Sequence, residues 1–167
     1  AKFTGADWHG DGFYYSAYPR PEAGKELSAA NEGHNIYYHK LGTSQVQDRL
    51  VFSDPKAPLH FHSAWVDRDE NVLAVAIGGQ GNGNALLVKS LKSPDAPWVE
   101  VTRSQEKEIN PIGVKDGNLL IMTNLDAPNY RLVSAPMDNP VISEWVDLIP
   151  NSSNVLTGVN LAGENII

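Results

Sequence analysis

The chain has 167 residues, 41% of them hydrophobic, with 13 Lys and Arg against 20 Asp and Glu for a formal charge of -7. That length suits one domain burying roughly two-thirds of its unfolded surface, and the scattered acidic residues argue against a nucleic-acid backbone as partner. The lack of cysteine excludes disulfides, thiolate metal sites and a cysteine nucleophile, and no apolar run reaches the roughly 18 residues that cross a bilayer.

The start AKFTGADWHG carries neither a basic nor an apolar leader region, and Ala1 in place of Met fits a processed or excised chain. The composition is that of a soluble protein and leaves cytoplasm and periplasm open. In chain order, Lys2–Trp8 and Gly12–Tyr18 read as strands around the turn Gly10-Asp11-Gly12. Pro19 to Gly33 is the longest polar interval and reads as a surface loop, with a short helical turn allowed around Glu26–Ala30. Asn35–Leu41 and Arg49–Ser53 complete a first unit. His60–Val66, Val72–Ile77, Ala85–Leu91 and Trp98–Thr102 form a second unit. In it the unbroken apolar run Val72–Ile77 suits a strand covered on both faces. A third unit holds Ile109–Val114, Leu119–Thr123, Tyr130–Ala135 and Trp145–Ile149.

Trp98-Val99-Glu100-Val101 is answered by Trp145-Val146-Asp147-Leu148, and Ala85–Ser90 by Tyr130–Ala135. Four antiparallel strands repeating at a period of roughly 45 residues are the pattern of β-propeller blades. The expected fold is therefore all-β: three blades over 2–53, 60–102 and 109–149, plus the start of a fourth at 155–167. Val155–Leu161 would supply its first strand.

The segments DGFYYSAYPRP at 11–21, YYHKLGTSQVQDRLVF at 37–52 and TNLDAPNYRLVSAPMDNPVISEWVDLIP at 123–150 resemble the propeller of the prolyl oligopeptidase (prolyl endopeptidase) family of serine peptidases over essentially the whole chain. The resemblance implies the middle part of a seven-bladed N-terminal propeller that covers an α/β-hydrolase catalytic domain. It also implies hydrolysis of short peptides after proline, with the propeller gating access. The partners implied are that catalytic domain and short proline-containing peptides. No cofactor is implied. The alternative is a free-standing propeller scaffold for protein partners. No G-x-S-x-G elbow occurs, and His9, His34 and His39 have no serine elbow nearby, so no catalytic residue is assigned and the segment alone is expected to be inactive.

Gly78-Gly79-Gln80-Gly81-Asn82-Gly83-Asn84 lacks both the dinucleotide spacing and the Lys-Ser/Thr of a P-loop, and a strand follows it, so it reads as a hairpin loop. In the resembling family this loop carries an arginine and often a cysteine directed at substrate, and the glycines here replace them. His60 and His62, two apart, would share one face of a strand, yet no third ligand at a suggestive spacing accompanies them. Asp67–Asn71 mimics the opening of a calcium loop but has Val72 and Gly78 where glycine and glutamate are required, which leaves a hairpin turn. Trp98 and Trp145 are expected to seal blade against blade. Asn151-Ser152-Ser153 fits a glycosylation acceptor if the chain is secreted. The resemblance places Phe61 beside the substrate pocket, with a plain core phenylalanine as the alternative. Open blade faces at both ends predict that the isolated segment self-associates.

Overall fold

The computed structural model of the chain describes residues 4–21, 24, 30–163 and 165–167. Three four-stranded antiparallel sheets follow one another, each with its strands in sequence order. The first comprises β1 (Ala6–His9), β2 (Gly12–Ala17), β3 (Asn35–Lys40) and β4 (Arg49–Phe52). The second comprises β5 (Phe61–Asp67), β6 (Val72–Gly78), β7 (Ala85–Ser90) and β8 (Val99–Thr102). The third comprises β9 (Ile109–Lys115), β10 (Asn118–Thr123), β11 (Arg131–Pro136) and β12 (Val146–Ile149). A two-stranded hairpin, β13 (Leu161–Ala162) with β14 (Asn165–Ile166), closes the chain. The all-β propeller architecture read from the repeat is the one observed. Residues 1–3, at the start of the expected first strand, and 25–29, within the suggested helical turn, lie outside the described residues.

Period-two alternation decides how the sheets stack. On β6, Leu73, Val75 and Ile77 join Tyr14 and Ile36 of the first sheet in one apolar cluster. Val72 and Ala74 of the same strand join Leu119, Ile121 and Val133 of the third sheet in another. A run without polar alternation thus serves two interfaces at once, as a sheet covered on both faces requires. Both tryptophans sit at such interfaces. Trp98 meets Phe52 edge-on at 5.4 Å across the first interface, and Trp145 packs against the second while its Nε1–H donates to the Pro140 carbonyl at 2.9 Å. Each precedes its outermost strand, and each is only partly buried.

The first strand of each later sheet packs against the sheet before it, β5 against β1, β2 and β3 and β9 against β5, and in a propeller the first strand of a blade lies toward the axis. The Val66 amide approaches the Asp7 carboxylate, whose pKa is raised by burial against the pull of that amide and of Arg68. Asp67 Oδ2 accepts the Val114 N–H at 2.8 Å. A Cβ on Gly113 would run into Leu161, so glycine there admits the terminal hairpin.

Two turns refine the sequence reading. Asp116 and Gly117 both have positive φ (50° and 75°), the two-residue turn that matches the twist of flanking strands. In the first hairpin the positive φ of 58° falls on Gly10. Gly12 already pairs with His9 inside the ladder, and a Cβ on it would strike the His39 carbonyl. Gly12 is thus required for close approach of two backbones instead of for the turn.

The expected strand over 155–161 does not form before Leu161. Leu156 instead donates its N–H to the Asn129 carbonyl at 2.8 Å, and Leu156 and Val159 fold over Leu120 and Leu132 of the third sheet. Covering that apolar face wins over extending an edge that has only β14 to pair with among the described residues.

Candidate functional site

Antiparallel connectivity gives the propeller two rims. The tight turns β1–β2, β5–β6 and β9–β10 share one rim with the β3–β4, β7–β8 and β11–β12 connections. The opposite rim gathers the second-to-third-strand loops and the links between sheets. The glycine-rich loop, His60, Phe61 and Asn151-Ser152-Ser153 fall on this second, loop rim.

The glycine-rich loop between β6 and β7 has a structural task. Gly83 N–H donates to the Gln105 carbonyl at 2.8 Å and Asn84 N–H to the Lys107 carbonyl at 3.1 Å. The Asn84 side chain both accepts from Ile109 N–H at 3.1 Å and donates to the Ile109 carbonyl at 2.9 Å. Side chains on Gly81 or Gly83 would collide with the backbone at Gln105 and Lys107. The loop therefore clamps the link into the third sheet, and its Gln80, Gly83 and Asn84 amides are spent on protein oxygens instead of an anion.

The Thr123–Arg131 motif works the same way. Thr123 Oγ1 donates to the Glu108 carbonyl at 2.6 Å, Asn124 Oδ1 accepts the Glu108 N–H at 2.8 Å, and Asn129 Nδ2 donates to the Ser152 carbonyl at 2.8 Å. The Tyr130 phenol is pushed up chiefly by its hydrogen bond to Glu108. Asp126 and Tyr130 hold positive φ. The residues that most strongly mark the resemblance thus fasten the links into and out of one blade.

His60 and His62 have different partners. His60 precedes β5 and lies 3.9 Å from Asp54. His62, 2% exposed, turns into the interface of the first two sheets. Its backbone N–H donates to His34 Nδ1 at 2.9 Å and its own Nδ1 donates to the His34 carbonyl. His60 falls in the link before β5, where strand alternation does not hold, and its charge still reaches His62. Among the described residues no three His, Asp or Glu side chains gather as a metal site would need. Burial, the largest effect, pulls the His62 pKa down, against the hydrogen bond to His34.

Phe61 opens β5 on the loop rim and is 45% exposed, with its ring edge toward His34 at 6.0 Å. Gly79 lies behind it: a Cβ there would sit 3.5 Å from the Phe61 ring. Leu59 beside it is 67% exposed. Phe61 is thus a rim residue, not a core one, at the axial end of the sheet. A separate cavity of about 390 Å³ on the same rim is lined by Asp54, His60, Gln80, Arg103 and Gln105 among others, and Phe61 does not line it. Sequence reasoning missed the Asn84 and Asn129 clamps. An asparagine next to a glycine run or a proline was the available signal. Asp67–Asn71 is a hairpin turn, with Asp67 Oδ1 accepting the Glu70 N–H at 3.0 Å and φ of 56° at Asn71. Among the described residues no helix is long and apolar enough to cross a membrane.

Comparison with known proteins bears on what this rim faces. The family model described as the prolyl oligopeptidase N-terminal beta-propeller domain matches residues 1–167. The prolyl endopeptidase of Elizabethkingia meningoseptica is 36% identical over 97% of this chain and 23% of its own length. Prolyl oligopeptidase A of Amanita bisporigera is 30% identical over 89% of this chain and 21% of its own. Among solved structures, prolyl oligopeptidase B of Galerina marginata, bound to a 35mer hydrolysis and macrocyclization substrate, superposes with a TM-score of 0.83 at 26% identity, covering 96% of this chain and 23% of that one. The chain spans about a quarter of the length of the relatives it matches.

Proposed function

The chain belongs to the prolyl oligopeptidase family through its N-terminal β-propeller domain, and from that premise we propose that it serves as a non-catalytic gate in a serine peptidase that cleaves short peptides after proline. The observation that carries this reading is the exposed Phe61 ring at the axial end of the innermost strand, on a rim otherwise fastened by backbone clamps. A rigid rim with an aromatic at its mouth suits a cover over a catalytic domain: it excludes folded chains by width and offers an apolar surface to a proline-bearing peptide. Phe61 lines the substrate path in this reading. The glycine-rich loop contributes position instead of substrate contacts.

The test uses the whole protein that the gene encodes. It should cleave a short proline-containing peptide and spare the same sequence set within a folded protein. Phe61→Ala should raise KM for the short peptide more than it lowers kcat, because the ring binds substrate and does no chemistry. Absence of cleavage after proline defeats the peptidase reading, and equal cleavage of peptide and folded protein defeats the gate.

A further inference from the structure

On the opposite, turn rim lies a cavity of about 570 Å³ between the first and second sheets, which nothing in the gating reading uses. Its lining includes Val51, Leu73 and Leu91, and two cations stand on its wall, Arg49 and Lys89. Asp11 is the one carboxylate lining it among the described residues. That carboxylate already holds Lys40 at 2.7 Å and accepts the Tyr38 hydroxyl at 2.9 Å.

Several cations of the chain are matched by carboxylates. Lys92 pairs with Glu70, Arg131 with Asp147, and Arg103 with Glu100. Among the described residues neither Arg49 nor Lys89 has a carboxylate partner. Arg49 lies 5.7 Å over the Tyr38 ring and its charge reaches the Tyr14 phenol, while Lys89 Nζ donates to the Pro94 carbonyl at 2.9 Å. A guanidinium has five N–H donors and an ammonium three, so both keep donors for a further acceptor. Acidic residues outnumber basic ones 20 to 13, so two cations left without acids beside one apolar-floored cavity form a local complement to an anion. The Arg49 ring contact and the Lys89 carbonyl bond also hold both side chains in place, which reduces the entropy lost when a ligand binds.

We propose that this cavity binds a small organic carboxylate with a branched apolar body, the acid paired by Arg49 and Lys89 and the body against Val51 and Leu91, whose side chains remain partly exposed. A free organic acid and the C-terminal carboxylate of a peptide share this chemistry. The proposal stands apart from the gating role, since it concerns the other rim and needs no peptidase activity.

Binding to the whole encoded protein is measured by calorimetry or NMR titration with N-acetyl-L-leucine, its uncharged amide, inorganic phosphate, and N-acetyl-Ala-Ala-Leu with a free carboxylate. The acid should bind, the amide and phosphate should not, and added salt should weaken binding. Tighter binding of the tripeptide identifies a peptide C-terminus as the source, and equal binding identifies a small acid. The double variant R49Q/K89Q should weaken the acid by about tenfold or more, as loss of charge-assisted hydrogen bonds implies. If loss of the Arg49 contact disturbs folding, K89M alone, whose cation sits on the cavity wall with only a carbonyl partner, should still weaken binding severalfold. Equal binding of acid and amide, equal binding by phosphate, or unchanged affinity in K89M and the double variant overturns the proposal.

Discussion

The two outer faces of the blade stack are built differently. The first sheet turns Phe13, Tyr15, Tyr37 and His39 outward, with Phe13 and His39 rings 5.1 Å apart and Tyr15 and Tyr37 stacked at 5.7 Å. The third sheet turns Leu120 and Leu132 outward, and the chain itself covers them with Leu156, Val159 and Leu161. The aromatic face keeps polar tips in use: Tyr15 donates to Asp48 at 2.6 Å and His39 Nδ1 meets the same carboxylate at 2.7 Å. A face of amphipathic rings tolerates water at its edges, whereas an aliphatic face has no polar edge and is covered.

This difference sets the largest expected effect. Leu132→Ala should cost about 2–5 kcal/mol, the range for emptying a fully buried leucine site, because Leu132 lies under the terminal segment and is wholly shielded. Tyr15→Ala, on the uncovered face of the isolated segment, should cost about 1 kcal/mol, mainly through the lost hydrogen bond to Asp48. Denaturant titration of both variants checks the contrast; equal losses would mean that the aromatic face is covered too.

The same contrast bears on assembly. The isolated segment should self-associate, and through the aromatic face of the first sheet, since the aliphatic face is already covered in part. The other open end is where the terminal segment folds over Leu120 and Leu132. Light scattering at micromolar concentration should give a mass above that of one chain, and Phe13→Lys should restore the monomer. A wild-type monomer at that concentration would show that polar tips suffice to keep the face soluble. The segment should also show no cleavage of a proline-containing chromogenic peptide.

Legibility followed the physics of each feature. The repeat is legible because turn clusters bound each strand and paired segments such as Trp98–Val101 and Trp145–Leu148 recur at the blade period, and because the six-residue apolar run Val72–Ile77 is too short for an ordinary buried helix. Positions fixed by backbone approach are not: a glycine in sequence does not say whether it supplies a positive φ, as Gly10 does, or clears a neighbouring carbonyl, as Gly12 and Gly83 do. Family resemblance singles out Phe61, which its residue type alone does not distinguish from a core phenylalanine. Trp145 illustrates the middle ground. Read as a fully buried ring it would cost about 3–5 kcal/mol on truncation, but with its ring only partly buried Trp145→Ala should cost about 1–3 kcal/mol, including the hydrogen bond to Pro140.

The smallest effect probes the covered interface that the aromatic face lacks. His62 is neutral there, donating Nδ1–H to the His34 carbonyl, and its Nε2 is buried without a hydrogen-bond partner. Burial holds its pKa below the ordinary histidine value. Once the pH drops below about 6.5 the unfolded chain takes up a proton at this position, while the folded chain does not until the pH reaches its lower value. Through that window the unfolded state binds more protons, so stability falls as pH falls, by at most about 1.4 kcal/mol for each pH unit. Stability measured from pH 8 to pH 5 should therefore decline on the acid side. His62→Gln, which keeps a donor for the His34 carbonyl and cannot titrate in this range, should flatten the part of that decline due to this group, leaving whatever His34, His60 and Asp54 around it contribute. An unchanged slope in the variant would mean that the interface opens to water on acidification before His62 is protonated.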